Sequence, residues 1–245
     1  MPDCDVIPDL SDEQDRLETF LNRLTPPDWR RLSAAPPWTV ADVVLHLAQT
    51  EEAVVLAISG ASGDWRRDDG ESVDEAMARH VAAEAKPGPD VFPRWQKARR
   101  AALQALRAAD PRQPVQWVAT PLRSTTLATT RLAEHWAHAL DVTQPFGVDY
   151  PDTDRIKHVA WLGHATLPYA FRTDGRQPVP VRVELTAPSG ARWAFGPQEA
   201  PSRITGSASA FCRVGAQRLL PEESGLHTRG PHGATALQLL RTYAA

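Results

Sequence analysis

The sequence predicts an α+β chain, with a helical bundle over residues 1–173 followed by a small mixed α+β unit over residues 174–245. Two observations carry this, and a third agrees. Ahead of Asp174, apolar residues recur at helical spacing in long stretches, each closed by Pro or Gly. After Gly175 the period drops to two, the spacing of strands. The composition, with Trp 8 and Pro 22 against Tyr 3 and Phe 6, suits helices joined by stiff loops with large rings between them.

Leu10, Leu17, Phe20, Leu21 and Leu24 make one face of a first helix, with Ser11 as its N-cap and Pro26-Pro27 as its stop. After Pro36-Pro37-Trp38, Thr39 caps a second helix that runs to about Ser59 and ends at Gly60. Its stripe is Val40, Val43, Val44, Leu47 and Val54, with His46 beside it and Asp42 one turn earlier. Residues 61–72 form a polar loop containing Asp64-Trp65-Arg66-Arg67, of the kind that lines pockets. Ser72–Glu84 is a short helix, and Lys86–Pro89 is a break. The third long helix, Val91–Ala109, turns Phe92, Trp95, Ala98, Ala102, Leu103 and Leu106 inward and leaves Arg94, Lys97, Arg99, Arg100 and Arg107 on a solvated face. A brief extended piece at 114–120 precedes the fourth long helix, Ser124–Gln144, ended by Pro145 and Gly147. A fifth, Asp154–Arg172, takes Asp152 or Thr153 as its cap. Beyond Gly175, Val179–Thr186 and Ala191–Phe195 read as strands around the turn Pro188-Ser189-Gly190. Gly196-Pro197 and Arg203-Ile204-Thr205-Gly206 lead to a helix Ser207–Leu219, then a strand Leu226–Arg229 and a helix Thr235–Tyr243.

Composition removes several classes. A net charge of −3 argues against a nucleic-acid binder, which would carry a basic face. No run approaches the ~18 apolar residues of a membrane helix, and the first residues are acidic where a signal peptide is basic, so the chain reads as cytoplasmic. Cys4 and Cys212 are the only cysteines, which excludes a disulfide framework and a cysteine-rich zinc site. Cys212 reads as a small buried apolar residue.

Any metal must therefore be held by nitrogen and oxygen. Glu134 and His138, four residues apart, share one face of a helix. With His46 from the second helix they make two imidazoles and a carboxylate, a set that suits catalytic zinc and other divalent first-row metals. Three protein ligands leave positions open for water or substrate. Asp141, three residues after His138, either holds an imidazole N–H or caps the helix end; Asp42, one turn before His46, is the candidate to support that imidazole. His135 lies off the Glu134/His138 face and reads as a packing or surface residue. His158 and His164 are spaced poorly for one metal, and His80, His227 and His232 are read as solvated.

The pair Pro37-Trp-Thr-Val-Ala-Asp-Val-Val-Leu-His46-Leu-Ala and Arg131-Leu-Ala-Glu134-His-Trp-Ala-His138-Ala-Leu-Asp141 resembles the mycothiol-dependent maleylpyruvate isomerase family. The strand pair at 181–195 and the run Ile204–Arg218 are similar to that family's second domain. The resemblance implies a DinB-like four-helix bundle followed by a sterol-carrier-like unit. It also implies a divalent-metal triad of His46, Glu134 and His138, zinc foremost, with nickel, iron or manganese as alternatives. Arg218 matches an arginine of the second domain that faces the active site.

The implied chemistry is that of a thiol, because a cation stabilises the thiolate near neutral pH. Mycothiol is the expected cosubstrate, and a small electrophile the partner, in S-transfer, thiol exchange or cis–trans isomerisation, with a natural-product intermediate compatible as substrate. The chain lacks a nucleophile of its own and has no G-x-S-x-G elbow, which fits a borrowed thiol. Arg66, Arg67, Arg123 and Arg218 are the cations that could meet an acidic substrate. Two other readings are a metal-dependent hydrolase using the same triad and a non-catalytic metal- or ligand-binding protein. A monomer or homodimer is expected.

Overall fold

Helix capping and the apolar stripes place most of the elements close to where the spacing predicts them. The computed structural model describes residues 5–61, 70–118 and 120–243. The chain divides into two compact units, Val6–Tyr150 and Pro151–Tyr243. Residues 62–69 of the loop expected at 61–72, with Arg66 and Arg67, and Cys4 lie outside the described residues.

The first unit consists of α1 (Val6–Leu21), α2 (Val40–Ile58), α3 (Val73–Ala83), α4 (Gly88–Ala108) and α5 (Ser124–Thr143), with a two-stranded ribbon of β1 (Pro114–Val115) and β2 (Leu122–Arg123). Helix α1 begins at Val6, so Ser11 lies inside it and does not cap it. Pro8 is tolerated there because first-turn N–H groups have no helical acceptor. The cap expected at Thr39 is present as a reciprocal box. Thr39 Oγ1 accepts from Asp42 N at 3.3 Å, while Asp42 Oδ2 accepts from Thr39 N at 2.9 Å and Thr39 Oγ1 at 2.7 Å. Ser72 and Glu75 repeat the same device on α3. Helix α4 starts within the expected break, at Gly88, whose close seat on Trp29 leaves no room for a Cβ: one placed there would stand 2.2 Å from Trp29 Cγ.

Helix α2 runs through the middle of this unit, packed most extensively on α4 and also on α5, with α1 against α5 and α4. Leu17, Leu21, Val43, Val44, Leu47, Trp95, Ala98, Ala139 and Val142 close the core between them. One arginine of α4 departs from the expected solvated face. Arg99 is buried, its Nη1 2.8 Å from Asp15 Oδ1 and its Nη2 paired with Glu18, so it ties α4 to α1.

The second unit begins at Pro151, not near 174, because α6 (Ile156–Thr173) belongs to it. Its apolar face packs on α7 (Ala208–Gly215) and β4 (Arg192–Phe195), and a Cβ on Gly163 would stand 3.1 Å from Phe211 Cε1. Neither Asp152 nor Thr153 caps α6. Asp152 pairs with Arg213, and Asp154 accepts from Ser189 N at 3.0 Å and Ser189 Oγ at 2.6 Å.

The sheet has the order β4-β3-β5-β6, with β3 at Val181–Thr186, β5 at Ser202–Ser207 and β6 at His227–Arg229. Strand β3 pairs antiparallel with β4 and parallel with β5, in the register Val183 to Ile204. The stretch Arg203–Gly206, to which periodicity assigns no element, is thus part of an inner strand. Alternation turns Val181, Val183 and Leu185 inward with Ile204, Trp193 and Phe211. Helix α7 stops at Gly215, well before Leu219, and Gln217 then takes a positive φ of 60°. The last helix, α8, spans Gly233–Gln238, shifted toward the N-terminus of the expected segment. No helix among the described residues is long and apolar enough to cross a membrane.

Thr39→Ala removes the hydroxyl half of the α2 capping box and should destabilise the protein by about 1 kcal/mol. Equilibrium urea unfolding measures the difference.

Candidate metal centre on two antiparallel helices

Three side chains predicted to act together converge within the first unit. His46 comes from α2, Glu134 and His138 from successive turns of α5, and one ligand atom of each lies within 4.8 Å of the others. Glu134 Oε2 stands 3.3 Å from His46 Nε2 and 3.5 Å from His138 Nε2. The two imidazoles meet edge-on, centroids 5.1 Å apart and planes at 72°. Both are buried, while Glu134 keeps partial access to solvent.

Asp141 takes the imidazole-holding alternative. Its Oδ2 lies 2.9 Å from His138 Nδ1 and is fully buried. An Nδ1–H donated to that carboxylate leaves the Nε2 lone pair directed at the cluster, the tautomer a ligand requires. Asp42, the expected counterpart for His46, does not play this part, because its Oδ2 is engaged by the Thr39 cap. His46 Nδ1 is buried with no hydrogen-bond partner among the described residues.

The electrostatics follow from this geometry. Burial raises the Glu134 carboxyl, but hydrogen bonds from His138 and His46, with Arg131 nearby, outweigh it and hold Glu134 well below the ordinary carboxylate range. Burial lowers His46 below its usual value against the hydrogen bond to Glu134. Burial also works to lower His138, yet Asp141 and Glu134 reverse the sign and raise it. An ionised carboxylate facing two imidazole nitrogens is a donor set for one divalent cation.

An aromatic wall that the sequence reading did not assign covers two of these groups. The Trp38 ring centroid lies 5.1 Å from His46 and 6.2 Å from His138. Its segment is anchored on both sides of the site: Ser33 N and Ser33 Oγ donate to Trp38 O at 2.9 Å and 2.8 Å, and Ala34 N donates to Asp141 O at 2.9 Å. The Pro36-Pro37-Trp38 motif carried the signal, as a large ring fixed just ahead of the helix that bears His46.

His135 is a packing residue, completely buried. Its Nδ1–H donates to Arg131 O at 2.9 Å, and its Nε2 accepts from Trp95 Nε1 at 3.2 Å and Gln14 Nε2 at 3.4 Å. It therefore joins α1, α4 and α5 through its neutral form. A second group missed from sequence is the buried pair of Arg131 and Glu51, Nε to Oε1 3.0 Å. Glu51 falls on the apolar stripe between Leu47 and Val54, where a carboxylate calls for a buried cation.

Arg123 is exposed eleven residues before Glu134, about 16 Å of helix away. Arg218 follows α7 in the second unit, where its Nη1 donates to Ala216 O at 2.7 Å. His164 Nε2 bonds Val181 O at 3.1 Å in that unit, and His158 is buried in it. His227 and His232 are exposed as expected, whereas His80 is half-buried on α3. Cys212 is buried, and burial, together with Asp152, pushes its thiol well above the ordinary range, as suits an inert residue.

Fold and cluster together define a class: a helical unit with a His/Glu/His face on two antiparallel helices, followed in the chain by a small α+β unit. Residues 10–143 match the family described as the mycothiol maleylpyruvate isomerase N-terminal domain. Uncharacterized proteins of Mycobacterium tuberculosis, strains H37Rv and CDC 1551, are each 33% identical over 220 residues, covering 86% of this chain and 84% of theirs. The crystal structures of a mycothiol-dependent maleylpyruvate isomerase and of its histidine-to-alanine mutant share the fold. Each matches with a TM-score of 0.60 at 14% identity, over 92% of this chain and 95% of the other. The chain belongs to the mycothiol maleylpyruvate isomerase family.

His135 gives a pH signature. Burial, then Arg131, lowers its pKa from 6.5 to about 3. A histidine depressed in the folded state binds fewer protons there than when unfolded, so it stabilises the fold above pH 6.5 and loses that contribution as pH falls toward 3. Urea midpoints of metal-free protein should fall more steeply over that window for the wild type than for His135→Gln, which keeps a donor and an acceptor but does not titrate.

Proposed function

We propose that this chain is a metal- and thiol-dependent enzyme that takes mycothiol as cosubstrate and acts on a small electrophile by S-transfer, thiol exchange or cis–trans isomerisation. The observation that carries the reading is the convergence of His46, Glu134 and His138 in a member of this family. Zinc is the cation the His/Glu/His set favours, with nickel, iron or manganese able to take the same donors. A cation held there would act as a Lewis acid and favour the thiolate form of a thiol brought to it.

The residues divide the work by position. His46 Nε2, His138 Nε2 and a Glu134 oxygen are the donors. Asp141 holds the proton on His138 Nδ1, so that Nε2 stays free to bind. Trp38 lies over both imidazoles and shields them from water on that side. Cys212 is too buried to act as nucleophile, which supports an external thiol. In the isomerisation, the sulfur adds to an activated double bond, the carbon–carbon axis turns as a single bond, and the sulfur leaves. No atom is gained or lost. The resemblance offers Arg218 for an anionic group of the substrate.

Metal analysis of purified protein should give about one divalent ion per chain in the wild type and little or none in His46→Ala. Full occupancy in that variant would remove His46 from the ligand set. Turnover should require mycothiol; rates indifferent to any thiol would put a metal-dependent hydrolase in its place.

A further inference from the structure

The three candidate ligands come from two helices, so their meeting depends on α2 and α5 keeping one register. A buried charged pair lies one turn away from them on both helices. On α2, Thr50 and Glu51 follow His46; on α5, Arg131 precedes Glu134. Arg131 Nε donates to Glu51 Oε1 at 3.0 Å, and Arg131 Nη2 donates to Thr50 Oγ1 at 2.6 Å. The Thr50 hydroxyl in turn donates to the His46 carbonyl oxygen at 2.9 Å. One guanidinium thus reaches from the turn before Glu134 to the main chain of His46.

None of the three is open to solvent: Arg131 is 3% exposed, Glu51 0% and Thr50 7%. Glu51 Oε2 has no hydrogen-bond partner among the described residues, and Oε1 faces the Arg131 guanidinium at 3.0 Å with His135 Nδ1 at 3.5 Å, so Arg131 is the permanent charge that offsets this buried carboxylate. A buried ion pair is a weak source of stability, since apolar residues of similar volume often serve as well or better. Its attested use is to specify register, because a wrong alignment leaves a charge unpaired. Sliding α5 by one turn along α2 would strand Glu51, and the same slip would carry Glu134 and His138 past His46.

We propose that Arg131, Glu51 and Thr50 form a positioning clasp that holds α2 and α5 in the register at which His46, Glu134 and His138 address a single cation. Arg131 acts through the two helices and is not itself a ligand. The proposal rests on the reading of the triad as a metal site.

The test measures zinc affinity by competition with a chromogenic chelator, beside the melting temperature of the metal-free protein. Wild type is compared with the double variant Glu51→Leu with Arg131→Met and with Thr50→Val. The double variant replaces the ion pair by apolar groups and should melt no lower than the wild type, yet bind zinc about tenfold more weakly or worse, the scale of lost support around a metal ligand. Thr50→Val, which keeps the shape and loses the hydroxyl, should weaken zinc in the same direction. A folded double variant with wild-type zinc affinity would overturn the clasp while leaving the metal site standing. Wild-type protein that takes up no zinc would overturn the metal site first and the clasp with it. If the double variant does not fold, Thr50→Val decides, and unchanged affinity there overturns the clasp.

Discussion

The antiparallel contact between α2 and α5 is the constraint on which the candidate site depends. Along it, His46 faces Glu134 and His138, and one turn on, Thr50 and Glu51 face Arg131. Each helix supplies an incomplete set of groups. The single imidazole of α2 without its partners on α5, or the buried Glu51 without the guanidinium of Arg131, would be a poor donor set or an expensive charge. The interface therefore carries polar groups that require each other, inside a core of Val, Leu, Ala and Trp.

Around that contact, neighbouring elements orient the candidate ligand atoms. Asp141 fixes the ring of His138 from within α5, and its own backbone carbonyl anchors the loop that lays Trp38 over the site. His135 ties α5 to α1 and α4 by accepting from Gln14 and Trp95, with a neutral ring whose other nitrogen bonds Arg131 O within α5. His46 is the exception, since its Nδ1 has no such support among the described residues. The proposed chemistry needs a cation site with open positions and a thiol from outside. A cluster with one partly exposed carboxylate and two covered imidazoles suits that need.

Particular residues show where sequence reading reached and where it stopped. Thr39 was legible as a cap because an N-cap is a local hydrogen bond within four residues. Asp42 was misplaced for the same reason: spacing put it one turn from His46, but the nearer claim of Thr39 took its carboxylate. Arg99 looked solvated by helical position and is buried, because Asp15 and Glu18 of α1 come from far away in the chain to meet it. The boundary was set at the change of period near 174, yet α6 packs with the sheet unit, and periodicity cannot say which core a helix's apolar face will choose. Strand β5 escaped notice because it pairs parallel with β3 across an intervening hairpin, leaving no adjacent turn to mark it.

By itself the sequence determined the α+β class, the long helices, the strand pair after residue 180, and the identities of His46, Glu134 and His138. The elements depend on periodicity, caps and spacing, which act over a few residues, whereas grouping His46 with Glu134 and His138 rested also on the family resemblance. Only the tertiary structure decided that Asp141 holds His138 while Asp42 leaves His46 alone, that Trp38 covers both rings, and that Arg131 and Glu51 join the two helices beneath them. Those choices are competitions among partners distant in sequence, and they are settled by which groups burial forces together.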